Sequence, residues 1–166
     1  AQMNLLGSGA LFGFGSTQSL NDSTLVIGDL VQSGFTLGDR DYYFNTDEKS
    51  VEIRQKYRRY IAKIFVLLGE DVEEAARIAR HILKFETQLA ERAYTQVQLS
   101  DPSNINHPMT LAELKKLAPN FDWKNYFYNV GQANLQNLTV DEPEFFQNLS
   151  VLLKKIEERD LKNYLV

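Results

Sequence analysis

The chain has 166 residues, of which 43% are hydrophobic and 24% charged, and this composition is that of a folded globular protein rather than a disordered or membrane-embedded one. Eighteen basic and 22 acidic residues give a net charge of −4, so the positive charge that favours nucleic-acid binding is missing and we expect no nucleic acid among the partners. The lack of cysteine excludes disulfides, thiolate metal sites and a cysteine nucleophile.

Residues 1–45 are rich in glycine and aromatic residues, and we predict that they form a small β-hairpin and a loop. Large apolar residues alternate with glycine over residues 11–16, and a β-branched run at residues 24–27 follows the turn formers of residues 21–23. Turn-forming residues then lead into the charged and aromatic sequence Arg-Asp-Tyr-Tyr at residues 40–43, on a predicted loop.

Residues 46–166 are predicted to be a helical region, because their apolar residues recur at the helical period. Capping residues, glycine and proline mark the ends of the expected helices. These helices run from Thr46 or Asp47 to Gly69, from Asp71 (capping box with Glu74) to Ala93, from Thr110 (capping box with Glu113) to Pro119, from Trp123 to Val130, and from Pro143 to Ile156.

The predicted fold class is mainly α, an antiparallel helical domain with a small N-terminal β-hairpin. The short connection at Gly69-Glu70 indicates that the first two helices pack antiparallel. A short strand is predicted at residues 138–140, and Asp160 is expected to cap a last helix that stops with the chain, which suggests a piece of a longer protein.

Motifs that carry enzyme chemistry are missing from the sequence. A catalytic zinc usually needs three protein ligands, and the chain has only His81 and His107 without an H-E-x-x-H motif, so we predict no metal site and no catalytic residue. Both histidines are expected at the surface or its boundary, with His107 in a polar loop. Residues 7–9, Gly-Ser-Gly, are typical of a flexible terminal segment, and the basic run over residues 54–63 is typical of a solvated helix face.

Several segments, taken together and in this order, resemble the neprilysin-type zinc metallopeptidases, in the region that precedes their zinc motifs. The resemblance extends over roughly residues 11–166. Two departures lie in Thr36-Leu37-Gly38, where the family usually has Gly-Leu-Pro. The segments are Leu11-Phe12-Gly13-Phe14-Gly15 with Asp22 and Ser23, Gly38-Asp39-Arg40-Asp41-Tyr42-Tyr43, Met109-Thr110-Leu111-Ala112-Glu113-Leu114, Phe121-Asp122-Trp123-Lys124-Asn125-Tyr126-Phe127, Pro143-Glu144-Phe145-Phe146, and Leu161-Lys162-Asn163-Tyr164-Leu165.

The resemblance implies that residues 1–166 are a fragment of the N-terminal helical domain of a larger zinc-dependent metalloendopeptidase. In that family two largely helical lobes enclose a cavity, and the zinc motifs belong to the C-terminal lobe. We therefore expect this segment to wall the substrate cavity and to restrict substrate size, with peptides and the C-terminal catalytic lobe of the same chain as its partners. Zinc is expected in the full-length parent, whereas the fragment alone is expected to hold no cofactor and to be inactive.

Arg40 is the one candidate substrate-binding residue. It lies on the loop of residues 38–43, and its planar guanidinium suits a peptide carboxylate or backbone carbonyls. The resemblance implies that this loop faces the cavity. In the alternative interpretation, Arg40 pairs with Asp39, Asp41 or another acidic residue and holds the loop while the two tyrosines that follow it pack inward.

Three further expectations complete the sequence-based prediction. If a second lobe is missing, an apolar patch should be exposed, with Phe12 and Phe14 as its first candidates. No segment has the features of a signal peptide or a membrane span, so we expect no membrane contact by this segment; a bacterial, extracytoplasmic parent is favoured. The alternative function is a non-catalytic helical binding or scaffolding domain.

Overall fold

The computed structural model describes residues 9–166, so residues 7 and 8 of the Gly-Ser-Gly segment lie outside the described part. Helices dominate the described residues and the strands form one small sheet, which confirms the prediction of a mainly α fold with a small N-terminal β-hairpin. The strands are β1 (Phe12–Gln18), β2 (Val26–Gln32), β3 (His107–Thr110) and β4 (Asn137–Val140). The helices are α1 (Asp41–Phe44), α2 (Glu48–Leu67), α3 (Val72–Ala90), α4 (Gln96–Leu99), α5 (Leu111–Leu117), α6 (Trp123–Asn129), α7 (Pro143–Lys155) and α8 (Glu158–Tyr164), with a 3-10 turn at Pro102–Ile105.

The chain divides into two compact units, and the first contains the sheet. This unit consists of residues 9–34 and 92–155. Its strand order is β1-β2-β4-β3, in which β1 and β2 form the predicted antiparallel hairpin, β2 and β4 run parallel, and β4 and β3 run antiparallel. The predicted strand at residues 138–140 is confirmed as β4.

Strand β3 begins at His107, a residue that was expected in a polar loop, and that expectation is wrong. The strand lies at the edge of the sheet, where a proline such as Pro108 is tolerated because the outer side of the strand needs no N–H donor. The imidazole of His107 contacts the carbonyl oxygen of Val140 at 3.0 Å, so the side chain joins the same two strands as the backbone.

An aromatic cluster around Phe12 forms the core of the first unit. Phe12 is only 2% exposed, and Phe14, which is half-buried, contacts the rings of α6. The prediction that these two residues form an exposed patch is therefore wrong, because strand alternation places them on the sheet face that α6 and α7 cover. The rings within 6 Å of Phe12 belong to Phe121, Trp123, Tyr126 and Phe146.

The second unit, residues 35–91 and 156–166, is built on the predicted helical hairpin of α2 and α3. Asp47 caps α2 by accepting a hydrogen bond from the Ser50 N–H, and Gly69 ends the turn of the helix with a φ of +103°. The two helices run antiparallel: Phe65 packs with Ala75 beside the turn, and the helices stay in contact further along. Helix α8 packs on α3.

Four local predictions differ from the structure. The loop at residues 40–43 contains a turn of helix, α1, and α3 ends at Ala90 rather than Ala93. Asp71 caps α3, but the Glu74 carboxylate bonds Arg77 instead of completing a capping box. Asp160 lies inside α8, whose N-cap is Glu157.

Among residues 9–166 we find no helix with the length and hydrophobicity that a bilayer span requires.

Candidate functional site

The segment of residues 36–43 contains the loop of residues 38–43, which was predicted to face the substrate cavity. The buried residue Glu86 fixes this segment within the second unit. Helix α3 presents Glu86 on its apolar stripe, one turn from the end of the helix, where it is 1% exposed. Helix α2 presents Tyr57 toward it. The loop before α1 supplies the remaining contacts, so one carboxylate is shared by two helices and a loop.

The Glu86 carboxylate accepts hydrogen bonds from three side chains and one backbone N–H. The Tyr43 hydroxyl donates to Oε2 at 2.5 Å and the Tyr57 hydroxyl donates to Oε1 at 2.7 Å. Thr36 donates its hydroxyl to Oε1 at 2.9 Å and its backbone N–H to Oε2 at 3.3 Å. The Tyr43 hydroxyl also accepts from the Leu37 N–H at 3.1 Å, so the two ends of the segment are tied to each other as well as to α3.

Burial sets the ionisation behaviour of this group. It raises the pKa of Glu86, and the hydrogen bonds from Tyr43, Tyr57 and Thr36 oppose that rise. Burial, together with the negative charge of Glu86, also raises the pKa of both tyrosines well above the usual value. The two hydroxyls therefore remain protonated donors near neutral pH, and Glu86 is their acceptor.

Arg40 makes structural contacts on the surface of the same unit. Its Nε donates to the carbonyl oxygen of Ala90 at 3.3 Å, at the end of α3, and its Nη1 lies 3.3 Å from the Asp41 carboxylate. The guanidinium carbon lies 4.9 Å from the centre of the Phe44 ring, a cation–π distance. The side chain is still 23% exposed, and these two hydrogen bonds use two of its five N–H donors. A role in substrate binding stays a prediction.

Arg54 lies beside the candidate site, and the sequence-based prediction of a fully solvated position for it is wrong. It was grouped with a solvated basic face, but its Nη1 donates to the carbonyl oxygens of Tyr42 and Asn45, at 2.5 and 2.9 Å, and thereby closes the end of α1. The other members of that basic run are exposed as predicted: Lys56, Arg58, Arg59 and Lys63. Glu86 was not singled out from the sequence, although an acid among the apolar positions of a helix such as α3 is itself a signal of a buried network.

The two histidines lie at the boundary between core and solvent, as predicted. His81 Nδ1 is 2.6 Å from an Asp160 carboxylate oxygen, and His107 bonds a backbone carbonyl. Within residues 9–166 no three His, Asp or Glu side chains converge on a point where a metal could be held. Because a catalytic zinc takes three protein ligands rich in histidine, the described residues do not fit a zinc centre.

Comparison with known proteins decides the family. The model of peptidase family M13 matches residues 1–166. The chain belongs to peptidase family M13. It is 31% identical to Neprilysin-3 of Drosophila melanogaster over 94% of this chain and 21% of that protein, and 34% identical to human Endothelin-converting enzyme 1 over 91% of this chain and 20% of that protein. The chain thus spans about a fifth of the length of these curated relatives.

Solved structures of the family share the fold of this M13 chain. The Mycobacterium tuberculosis zinc metalloprotease Zmp1 matches with a TM-score of 0.82 in complex with an inhibitor, at 26% identity over 92% of this chain and 23% of that one. Its open state matches with a TM-score of 0.85, at the same 26% identity, over 92% of this chain and 24% of that one. PepO of Lactobacillus rhamnosis, at 14% identity and a TM-score of 0.69, shows the same fold. The resemblance to neprilysin-type peptidases is therefore confirmed.

Proposed function

We propose that this M13 chain is part of the N-terminal helical domain of a zinc-dependent metalloendopeptidase, that it walls the substrate cavity, and that it restricts substrates to peptides. The observation that carries the proposal is the family match over all 166 residues, with relatives that are named as neprilysin and endothelin-converting enzyme and a structural neighbour named as a zinc metalloprotease. Because the described residues do not fit a zinc centre, zinc and the catalytic groups would come from the rest of the parent chain.

A cavity wall needs a rigid frame, and the second unit supplies one. The segment of residues 36–43 is fastened to α2 and α3 by the buried Glu86 network, and Arg54 closes the end of α1. Binding residues are commonly carried on loops that a rigid scaffold positions. We propose Arg40 as the residue of this segment that contacts peptide, with its free guanidinium donors directed to a carboxylate or carbonyl group.

The second candidate function is a non-catalytic helical binding or scaffolding domain. The composition and the helical frame fit it equally well, but the family match favours the metallopeptidase. A gene that continues beyond Val166 into an H-E-x-x-H motif would support the peptidase, and a gene without that motif would support the scaffold. We also propose an extracytoplasmic, bacterial parent, whose partners are peptides and its own C-terminal lobe.

The experiment uses the full-length parent enzyme with a series of peptides. Arg40→Ala should raise KM by about 10-fold while kcat and the zinc content stay unchanged, because the change removes one charge-assisted hydrogen bond to substrate and leaves the metal chemistry intact. Arg40→Lys keeps the charge without the planar fork and should recover only part of the loss. Arg59→Ala, an exposed arginine of α2, is the matched control.

Two results would contradict different parts of the proposal. Lowered stability of Arg40→Ala with unaltered KM would leave Arg40 only its structural role against Ala90 and Asp41. A purified full-length parent without chelator-sensitive peptidase activity would contradict the metallopeptidase function itself and would favour the scaffold.

A further inference from the structure

One face of the four-stranded sheet carries three oxygen-bearing side chains close together. Asp29 of β2 and Thr139 of β4 are register partners across the parallel pair, and neighbours in register project to the same face. Asp141 follows Thr139 by two residues and so projects to that face as well, and its N–H donates to the Leu30 carbonyl at 3.0 Å, which extends the pairing beyond β4. The carboxyl groups of Asp29 and Asp141 are close enough to share a hydrogen bond.

Two oxygens of this group are buried and have no hydrogen-bond partner within the described part of the chain, residues 9–166. They are Oδ1 of Asp29 and Oγ1 of Thr139, and Thr139 is only 4% exposed. Buried polar atoms without a partner are rare in folded proteins, and a bound water or ion is a common reason for them. A proton shared between Asp29 and Asp141 would join one oxygen of each carboxyl group. It would still leave Oδ1 of Asp29 and Oγ1 of Thr139 without a hydrogen-bond partner among residues 9–166.

Among residues 9–166 the group has no ion-pair partner. Glu142, which is buried and accepts a hydrogen bond from the Tyr94 N–H, adds a third carboxyl nearby. None of the ion pairs found among residues 9–166 involves Asp29, Asp141 or Glu142. Burial and the neighbouring Asp29 raise the pKa of Asp141 to about 7, which is the response expected of a carboxyl group without a cation beside it.

We propose that Asp29, Thr139 and Asp141 bind a hard divalent cation, Ca²⁺ or Mg²⁺, with water completing its coordination. These ions take carboxylate, hydroxyl, carbonyl and water oxygens at about 2.0–2.6 Å, and oxygens arranged around one ion need not hydrogen-bond to each other. The all-oxygen donor set suits them better than zinc, which prefers nitrogen and sulfur ligands in proteins. Asp29 and Asp141 are only half-buried, so an ion can reach them. A bound ion would fasten the end of β4 to β2.

The test is thermal unfolding of the chelator-treated chain near neutral pH, with CaCl₂ or MgCl₂ compared against NaCl of equal ionic strength. At a cation concentration roughly 100 times Kd the melting temperature should rise by about 5 °C. Asp29→Asn and Asp141→Asn should abolish the rise, and Thr139→Val, which keeps the side-chain shape, should reduce it. Asp22→Asn, at an exposed carboxylate between β1 and β2, should leave the rise unchanged.

Calorimetric titration of each cation into the unsubstituted chain keeps the test independent of whether the variants fold. A saturable signal with one ion per chain supports the proposal. The absence of a signal and of a thermal rise with both ions would overturn it, as would an equal rise in Asp29→Asn. A metal-free Asp141→Asn chain that melts above the unsubstituted chain, without any cation response, would identify a shared proton instead.

Discussion

At the scale of single residues, Glu86 has the largest structural consequence. Its carboxylate collects donors from Thr36, Tyr43 and Tyr57, which lie 50, 43 and 29 positions away along the chain. Tyr43 is buried and Tyr57 is partly buried, so these two hydroxyls would lose their partner at a desolvation cost if the carboxylate were removed. The network therefore makes the position of the candidate substrate loop depend on one side chain of α3.

The first prediction at this scale is that Glu86→Gln destabilises the chain by about 1–3 kcal/mol at pH 7. The glutamine amide has one acceptor oxygen instead of two. Its NH₂ group cannot accept a hydrogen bond, so one of the tyrosine hydroxyls loses its acceptor. Urea unfolding followed by far-UV circular dichroism measures the loss. Glu91→Gln, an exposed glutamate at the end of the same helix, is the matched control and should change stability by less than about 0.5 kcal/mol.

The pH dependence of this difference follows from the raised pKa of Glu86. The pKa of Glu86 is higher in the folded state than in the unfolded state, where it has the ordinary value of 4.5. As the pH falls, Glu86 is therefore protonated first in the folded state. The contribution of Glu86 to stability thus increases as the pH falls through the folded-state pKa toward 4.5 and decreases as the pH rises. The stability gap between the unsubstituted chain and Glu86→Gln should widen from pH 7 to pH 5, and a gap that narrows would contradict the direction of the shift.

At the scale of elements, the long helices and the hairpin were predictable from sequence, and the short elements were not. Helices α2 and α3 carry apolar stripes of five turns with acidic caps, so period and capping agree. Strand β3 and helix α1 each have four residues, too few for a period to show. Strand β3 exists because β4 offers it a partner, and α1 forms where Arg54 closes its end; both causes lie outside the four-residue segment itself.

The same limit applies to the candidate sites. Arg40 could be singled out because its residue type and loop position carry a chemical meaning without any partner. Glu86 could not be singled out in this way, since its donors come from three separate segments of the chain. Asp29 and Asp141 lie 112 positions apart, and only the parallel pairing of β2 with β4 brings them together. The periodicity of the sequence does not show which distant polar groups pair with each other, and these candidate sites depend on such pairs.

The prediction at this scale concerns the turn between α2 and α3. Gly69 has a φ of +103°, and a Cβ there would meet open space, so the cost of Gly69→Ala comes from the backbone alone. We expect a loss of about 1–2 kcal/mol in the free energy of unfolding. Gly15→Ala is the matched control, because Gly15 has equal space and no positive φ, and it should be close to neutral. Equal losses in the two variants would show that strain at the turn is not the cause.

At the scale of the whole molecule, the apolar surface expected from sequence exists, but on α2 rather than on the hairpin. Ile64 follows Tyr60 by four residues, and Leu67 and the C-cap residue Leu68 follow Ile64 by three and four, so all four side chains lie on one side of the helix. All four are exposed, and Leu67 is 77% exposed. Phe12 and Phe14 pack against aromatic residues of their own unit. This side of α2, in contrast, is not buried by any of the described residues.

The last prediction compares the chain with the longer enzyme proposed above. The relatives are about five times longer than this chain, and the C-terminal lobe that we propose as its partner would cover the exposed side of α2. The double substitution Leu67→Ser and Leu68→Ser should then change the stability of the 166-residue chain by less than about 0.5 kcal/mol, because these side chains are already in water. The same double substitution should lower the melting temperature of the full-length enzyme by several degrees. Val97→Ser, at an exposed position on α4, controls for surface polarity, and equal melting shifts in chain and enzyme would show that the lobe docks elsewhere.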